Sequence, residues 1–169
     1  MNIVVIYESL YGNTKAIAEA IAAGLQDGGD VALRSTLEEI DITAADLVVV
    51  GGPTHAHGMS RASSRQIDEK RAAPLPGTDT GLGMREVIQA LPSGEGKPPA
   101  TYETRSDNPA RLTGSAAAGA GKKLTTRRYR MIAKPESLTL EGGEGPPATR
   151  ELDRARMWGK ELTEILASG

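Results

Sequence analysis

The chain has 169 residues, 38% of them hydrophobic, and a formal net charge of −2, which suits one domain spanning residues 1–169. Aromatic residues make up 3% and Phe is absent, so aliphatic side chains must form most of the core. The absence of Cys excludes disulfides, thiolate chemistry and cysteine-based metal sites. The net charge gives no general attraction to nucleic acid or anionic lipid. No apolar run is long enough to cross a membrane, and the sequence begins with a strand-like run instead of a leader. We therefore expect a cytoplasmic protein with neither nucleic-acid nor membrane partners.

Short β-branched runs alternate with helical patterns along the chain. The strand-like runs cover residues 2–7, 31–35, 46–51, 100–104 and 130–140, and the helical patterns cover 17–25, 84–91, 115–124 and 152–166. The stretch 61–99, rich in Pro, Gly and charge, is predicted to form a short helix, a loop and the helix near 84–91.

This alternation predicts βαβ units and a parallel sheet covered by helices on both faces. The predicted fold class is α/β, a three-layer, doubly wound sheet of five parallel strands in the order 2-1-3-4-5. Pro135 lies inside the last predicted strand, so that strand should be at an edge or bent.

The first loop, ESLYGNT at residues 8–14, leaves the first strand and leads directly into a helix. Ligands of such sheets bind at the carboxyl ends of the strands, and a helix N-terminus offers unpaired N–H groups to a phosphate. Ser9, Asn13 and Thr14 supply side-chain donors, and Gly12 lets the backbone approach closely. A plain helix cap by Asn13 or Thr14 is the alternative. The loop matches neither the GxxxxGK[ST] nor the GxGxxG pattern.

Residues 5–14, VIYESLYGNT, followed by Ala18 and Ile21, resemble the flavodoxin signature. The resemblance implies a flavodoxin-like fold over nearly the whole chain and flavin mononucleotide (FMN) as the cofactor. It implies that the FMN phosphate is wrapped by the first loop, namely Ser9, Leu10, Tyr11, Gly12, Asn13 and Thr14. Tyr11 is similar to its counterpart in the SMYGNT-type loops of flavodoxin modules in larger oxidoreductases and quinone reductases.

A second loop follows the third predicted strand, where glycines and Pro53 indicate irregular backbone from Gly51 onwards. The flavodoxin resemblance implies that this loop packs against the flavin ring through Pro53, Thr54, His55, Ala56, His57 and Gly58. The two His residues are the only ones in the chain, and no Cys or nearby carboxylate completes a metal site, so none is predicted. A plain surface loop remains the alternative.

The third loop follows the fourth predicted strand, and the resemblance places Thr104 and Arg105 where they reach the flavin's pyrimidine edge. A solvated charge or an ion pair with Asp107 is the alternative for Arg105. Tyr102 lies within the strand, Ser115 should cap the helix at 115–124, and Trp158 should pack in the core.

Three functions stay open at this stage. The first is an FMN-dependent electron carrier that serves a redox partner protein. The second is an NAD(P)H:quinone oxidoreductase on the same fold, acting on a small quinone. The third is a flavin-free interaction module that keeps only the fold.

Overall fold

The computed structural model describes residues 1–55, 58–71, 82–108, 110–143 and 145–168. Five parallel strands have the order β2-β1-β3-β5-β6, and a short sixth strand, β4, pairs antiparallel with the end of β3. The strands are β1 (Asn2–Tyr7), β2 (Asp30–Ser35), β3 (Leu47–His55), β4 (Gly58–Met59), β5 (Pro99–Arg105) and β6 (Glu136–Thr139). The predicted order of the five parallel strands is confirmed, and the β3–β4 hairpin is an addition to it.

Helices cover both faces of the sheet, as the alternating pattern predicts. They are α1 (Asn13–Leu25), α2 (Ala62–Arg71), α3 (Met84–Ala90), α4 (Ala110–Thr113), α5 (Ala116–Thr126) and α6 (Thr149–Ser168). One core lies between the sheet and α1 with α6, and a second lies between the sheet and α3 with α5. Among the described residues, no helix is both long and apolar enough to cross a bilayer.

Helices α1 and α6 approach each other closely because glycines face each other across their contact. A Cβ at Gly24 would overlap the carbonyl oxygen of Arg156, and one at Gly159 would overlap that of Ile21. Beside this contact, Trp158 is buried and meets Tyr102 edge to face, with 6.4 Å between ring centroids. The predicted core position of Trp158 is confirmed.

The prediction of irregular backbone from Gly51 onwards is wrong, because β3 continues to His55 and pairs with β5 as far as Pro53. The two glycines are needed for space rather than for a turn. A Cβ at Gly51 would overlap the ring of Tyr102, and one at Gly52 would lie 3.3 Å from the Cβ of Glu8 on the opposite face.

The edge strand β6 is shorter than predicted and begins directly after Pro135. It is fastened to α6 by Glu151, whose carboxylate accepts the Thr139 amide at 2.9 Å and the Arg154 guanidinium at 2.8 Å. Arg154 also pairs with Glu136 of β6. Burial works against the ionised carboxyl, yet these bonds lower the pKa of Glu151 below its ordinary value.

The close approach of α1 and α6 predicts an unequal response to two Gly→Ala substitutions. Gly24→Ala should lower the free energy of unfolding by about 1–3 kcal/mol, because the added methyl overlaps backbone that cannot move aside. Gly119→Ala in α5 is the control, since its methyl meets the flexible end of Met59 at 3.3 Å. That variant should be neutral or stabilised by up to about 1 kcal/mol, because Ala favours helix. Urea unfolding curves measure both, and equal effects would contradict this account.

Candidate functional site

The three loops expected to bind a ligand meet at the carboxyl edge of β1, β3 and β5. These strands are neighbours in the sheet, with Tyr7 opposite Gly51 and Pro53 opposite Thr104. The candidate site is the crevice at this edge, where parallel sheets place their ligands.

The first loop is tightly folded on itself. Ser9 Oγ accepts the Gly12 amide at 3.1 Å, and Gly12 has φ +87°, a left-handed conformation that favours glycine. Gly12 is the N-cap residue of α1, so the capping alternative that uses Asn13 or Thr14 at that position is wrong. Gly12 has no side chain that could accept a hydrogen bond from the first-turn amides of α1. A helix start without a side-chain cap suits the binding of an anion.

Thr14 and Thr104 bring the first and third loops together. Both side chains are buried, and their hydroxyl oxygens lie 2.7 Å apart across the end of β3. Only one proton lies between the two oxygens, so one hydroxyl of the pair keeps a proton to donate elsewhere. Of the remaining first-loop residues, Leu10 is buried and Tyr11 is 44% exposed.

The second loop includes the end of β3 and the antiparallel strand β4, with His55 opposite Gly58. Pro53, Thr54 and His55 are half-buried, and Gly58 has φ +127°. Ala56 and His57 lie outside the described residues. The structure therefore brings the described part of the second loop to the same edge as the other two.

A buried carboxylate, Glu103 in β5, is the centre of the polar contacts at this edge. Its side chain has no exposed surface and accepts five hydrogen bonds. Oε2 receives the hydroxyls of Thr54 (2.8 Å) and Ser115 (2.7 Å) and the Ala117 amide (2.9 Å). Oε1 receives the Ser137 hydroxyl (2.8 Å) and Arg105 Nη1 (3.3 Å). Glu103 thus ties the second loop, α5 and β6 to β5.

Burial raises the pKa of Glu103, but the hydrogen bonds from Ala117, Ser115, Ser137 and Thr54 lower it further than burial raises it, and the net shift is downward. Ser115 also caps α5, accepting the Ala118 amide at 3.0 Å, which confirms the predicted cap.

Arg105 points back to the protein at the end of β5. Besides Glu103, its guanidinium donates to the Asn108 carbonyl at 2.6 Å and to the Thr113 hydroxyl at 2.7 Å. It is 7% exposed. Arg105 therefore fixes the shape of the third loop, and Glu103, rather than Asp107, is its ion-pair partner in the structure.

A second buried polar cluster, which the sequence reasoning missed, lies behind the first loop. Glu8 accepts the Ser60 hydroxyl at 2.5 Å and the Met84 amide at 2.7 Å. Arg65 donates to the same hydroxyl at 2.9 Å and pairs with Glu86 at 3.2 Å. Both clusters could have been expected from the charged residues at strand ends that are otherwise neutral. A charge buried at such a place needs a partner, which indicates a polar cluster around it.

The donors of the first loop fit a phosphate monoester. The loop offers hydroxyls, helix-end amides and a glycine that permits close approach, and the Glu8 carboxylate is held by groups behind it. A groove of about 680 Å³ lies at the opposite edge of the sheet, between residues 42–46 and 92–98. There the ammonium of Lys97 donates to the carbonyls of Thr43 and Ala45, and the predicted loops are distant from it.

Glu103→Gln should lower the free energy of unfolding at neutral pH by about 3–5 kcal/mol, because it leaves Arg105 buried without its counter-charge. The pKa of Glu103 is depressed in the folded state. The stability that its charge contributes is therefore present above the ordinary glutamate pKa and is lost as the pH falls through the pKa of the folded state. The wild type should therefore lose its advantage over Glu103→Gln on acidification. Exposed Glu161→Gln is the control. Urea unfolding from neutral to acidic pH measures the free energy of unfolding of each protein. A difference between wild type and Glu103→Gln that stays constant over this range would contradict the account.

Comparison with known proteins agrees with this fold. Residues 4–76 match the family model of the flavodoxin domain. A flavodoxin from the domain Archaea is 20% identical, with a TM-score of 0.69 and coverage of 99% of each chain. Flavodoxin 2 from Bacillus cereus is 17% identical, with a TM-score of 0.67 and the same coverage.

A WrbA-like flavodoxin from Agrobacterium tumefaciens is 18% identical, with a TM-score of 0.63. The match covers 99% of this chain and 98% of that protein. Comparison with the sequences of curated proteins finds no significant match. The matched domain model and these structures show that the chain has the flavodoxin-like fold, as its first loop predicted.

Proposed function

We propose that the protein binds FMN at the carboxyl edge of β1, β3 and β5 and acts as an electron carrier for a redox partner protein. The observation that carries this proposal is the first loop. It combines the flavodoxin signature with a left-handed Gly12 at the start of α1 and a buried hydroxyl pair beneath it. Its donor set suits one phosphate group, which FMN has.

In this proposal the phosphate is held by the amides at the start of α1 and by the hydroxyls of Ser9, Thr14 and Thr104. The flavin ring lies between the second and third loops, beside Pro53, Thr54, His55, Ala56, His57 and Gly58. When bound, FMN supplies one- and two-electron chemistry that no amino-acid side chain offers. The protein's own part is to orient the cofactor and set the charge around it.

The charges near the third loop are balanced within the protein. Arg105 is paired with Glu103, so the guanidinium is not available as an unopposed positive charge beside a flavin. The hydroxyls of Thr54 and Ser115 are likewise committed to Glu103. This arrangement supports a role in which the protein holds the ring in a fixed, neutral setting rather than taking part in acid–base chemistry.

The cofactor prediction is tested by reconstitution. Purified protein stripped of flavin should bind FMN more tightly than riboflavin, because riboflavin lacks the phosphate, and more tightly than FAD, because the loop has room for one phosphate and lacks a GxGxxG turn. Fluorescence quenching of each flavin measures the three affinities. Equal affinity for FMN and riboflavin would reject the phosphate site, and preference for FAD would reject the assignment of FMN.

Thr14→Ala should weaken FMN binding by about 1–3 kcal/mol, because it removes one hydroxyl of the buried pair and its donor to the charged phosphate. Riboflavin binding should change little, which makes it the internal control. Gly12→Val should have the larger effect, because a β-branched residue is strained at φ +87° and blocks close approach. If both variants lose thermal stability but keep the wild-type affinity for FMN, the loop is purely structural.

The carrier role is tested against the oxidoreductase alternative. Reduced holoprotein should pass electrons to a haem acceptor such as ferric cytochrome c in stopped-flow mixing. It should not oxidise NADH or NADPH in the presence of a soluble quinone unless a separate reductase is added. Sustained NAD(P)H-dependent quinone turnover by the protein alone would show that it is the enzyme.

A further inference from the structure

The position of Glu8 poses an electrostatic problem for the proposed phosphate site. A carboxylate is the first residue of the loop that would bind a dianion, and like charges at short range repel each other strongly away from water. Glu8 is 3% exposed, so solvent does little to screen it. A binding site with this sequence therefore needs a counter-charge for Glu8.

The hydrogen bonds of Glu8 lead away from the first loop. Oε1 accepts the Ser60 hydroxyl and Oε2 accepts the Met84 amide. Behind the carboxylate, Gly52 leaves room for its side chain, since a Cβ there would lie 3.3 Å from the Cβ of Glu8. The carboxylate is thus enclosed between β3, the β4–α2 connection and the start of α3.

The counter-charge is supplied by Arg65 of α2. This side chain is 2% exposed, and its Nη1 donates to the same Ser60 hydroxyl that Glu8 accepts. A Cβ at Gly83 would overlap Nη1 of Arg65 and lie 2.9 Å from Oε2 of Glu8, so guanidinium and carboxylate share one small volume. A second carboxylate, Glu86, pairs with Arg65 at 3.2 Å and is partly exposed. A second guanidinium, that of Arg85, donates to the carbonyls of Met59 and Ser60.

We propose that Arg65 is a positioning residue of the phosphate site, which acts through the Ser60 hydroxyl to neutralise Glu8. Its positive charge cancels the repulsion that Glu8 would otherwise exert on a phosphate at the first loop. This inference rests on the proposed function. It gives α2 a part in anion binding. Arg65 itself contacts the protein and not the ligand.

The charge effect is separated from a packing effect by comparing FMN with riboflavin, which differ by the phosphate. At pH 8, the ratio of FMN to riboflavin affinity should fall about five- to tenfold in Arg65→Gln, because Glu8 is then left without its counter-charge. Arg65→Lys keeps the charge and should retain most of the wild-type ratio. Fluorescence quenching by stripped protein gives both affinities.

The decisive variant is the double substitution Glu8→Gln with Arg65→Gln. It removes both charges, and its affinity ratio should return to within about twofold of the wild-type value, which is a strongly non-additive result. Arg154→Gln is the matched control. It removes the arginine of another part-buried ion-pair network, at β6 and α6, and should lower stability without changing the ratio.

An unchanged ratio in Arg65→Gln, or a double variant no better than Arg65→Gln alone, would overturn the inference. If Arg65→Gln does not fold, as judged by circular dichroism, Ser60→Ala replaces it, since this keeps both charges and removes only the hydroxyl between them. Its ratio should fall about twofold to threefold, and no change would again overturn the inference. Wild-type protein that fails to bind FMN would reject the proposed function itself, whereas normal FMN binding with an unchanged ratio in the variants rejects this inference alone.

Discussion

The site depends on the burial of a single negative charge at the end of β5. Glu103 has no access to water, and a carboxylate in that position persists only when hydrogen-bond donors and a positive charge surround it. Its five donors come from the second loop, from the start of α5, from β6 and from Arg105. Satisfying this one group therefore sets the relative positions of most elements at the carboxyl edge.

The same physical rule operates twice at this edge. Behind the first loop, Glu8 is enclosed by Ser60, Met84 and the neighbouring guanidinium of Arg65. Each cluster contains a buried carboxylate, a buried arginine and at least one hydroxyl that donates to the carboxylate, and the Glu8 cluster also contains Glu86. Buried networks of this kind tolerate few alternative arrangements, because a group left without its partner costs more than the network contributes. The loops between them are consequently held in place by charge pairing and hydrogen bonds as well as by apolar packing.

The sequence predicted what periodicity and local turn chemistry determine. The apolar runs at β1 and β3 predicted a covered parallel sheet, which is confirmed, whereas the anion site expected at the loop 8–14 stays a prediction. Long-range partners could not be predicted in the same way. That Gly51 makes room for Tyr102, or that Glu8 meets Ser60, depends on strand register and on contacts across the sheet, which one sequence does not reveal. Arg105 shows this most clearly, because its position was predicted while its partner was not.

The glycine contact between α1 and α6 has a consequence for how the protein is made. Helix α1 carries the first loop at its N-terminus, and its other half is packed against α6. Contacts between distant parts of a chain form late, and synthesis delivers α6 after the other described elements. A nascent chain that has reached residue 148 thus contains every loop of the site but lacks the surface on which α1 rests. The support for this half of α1 is therefore missing until α6 has been synthesised.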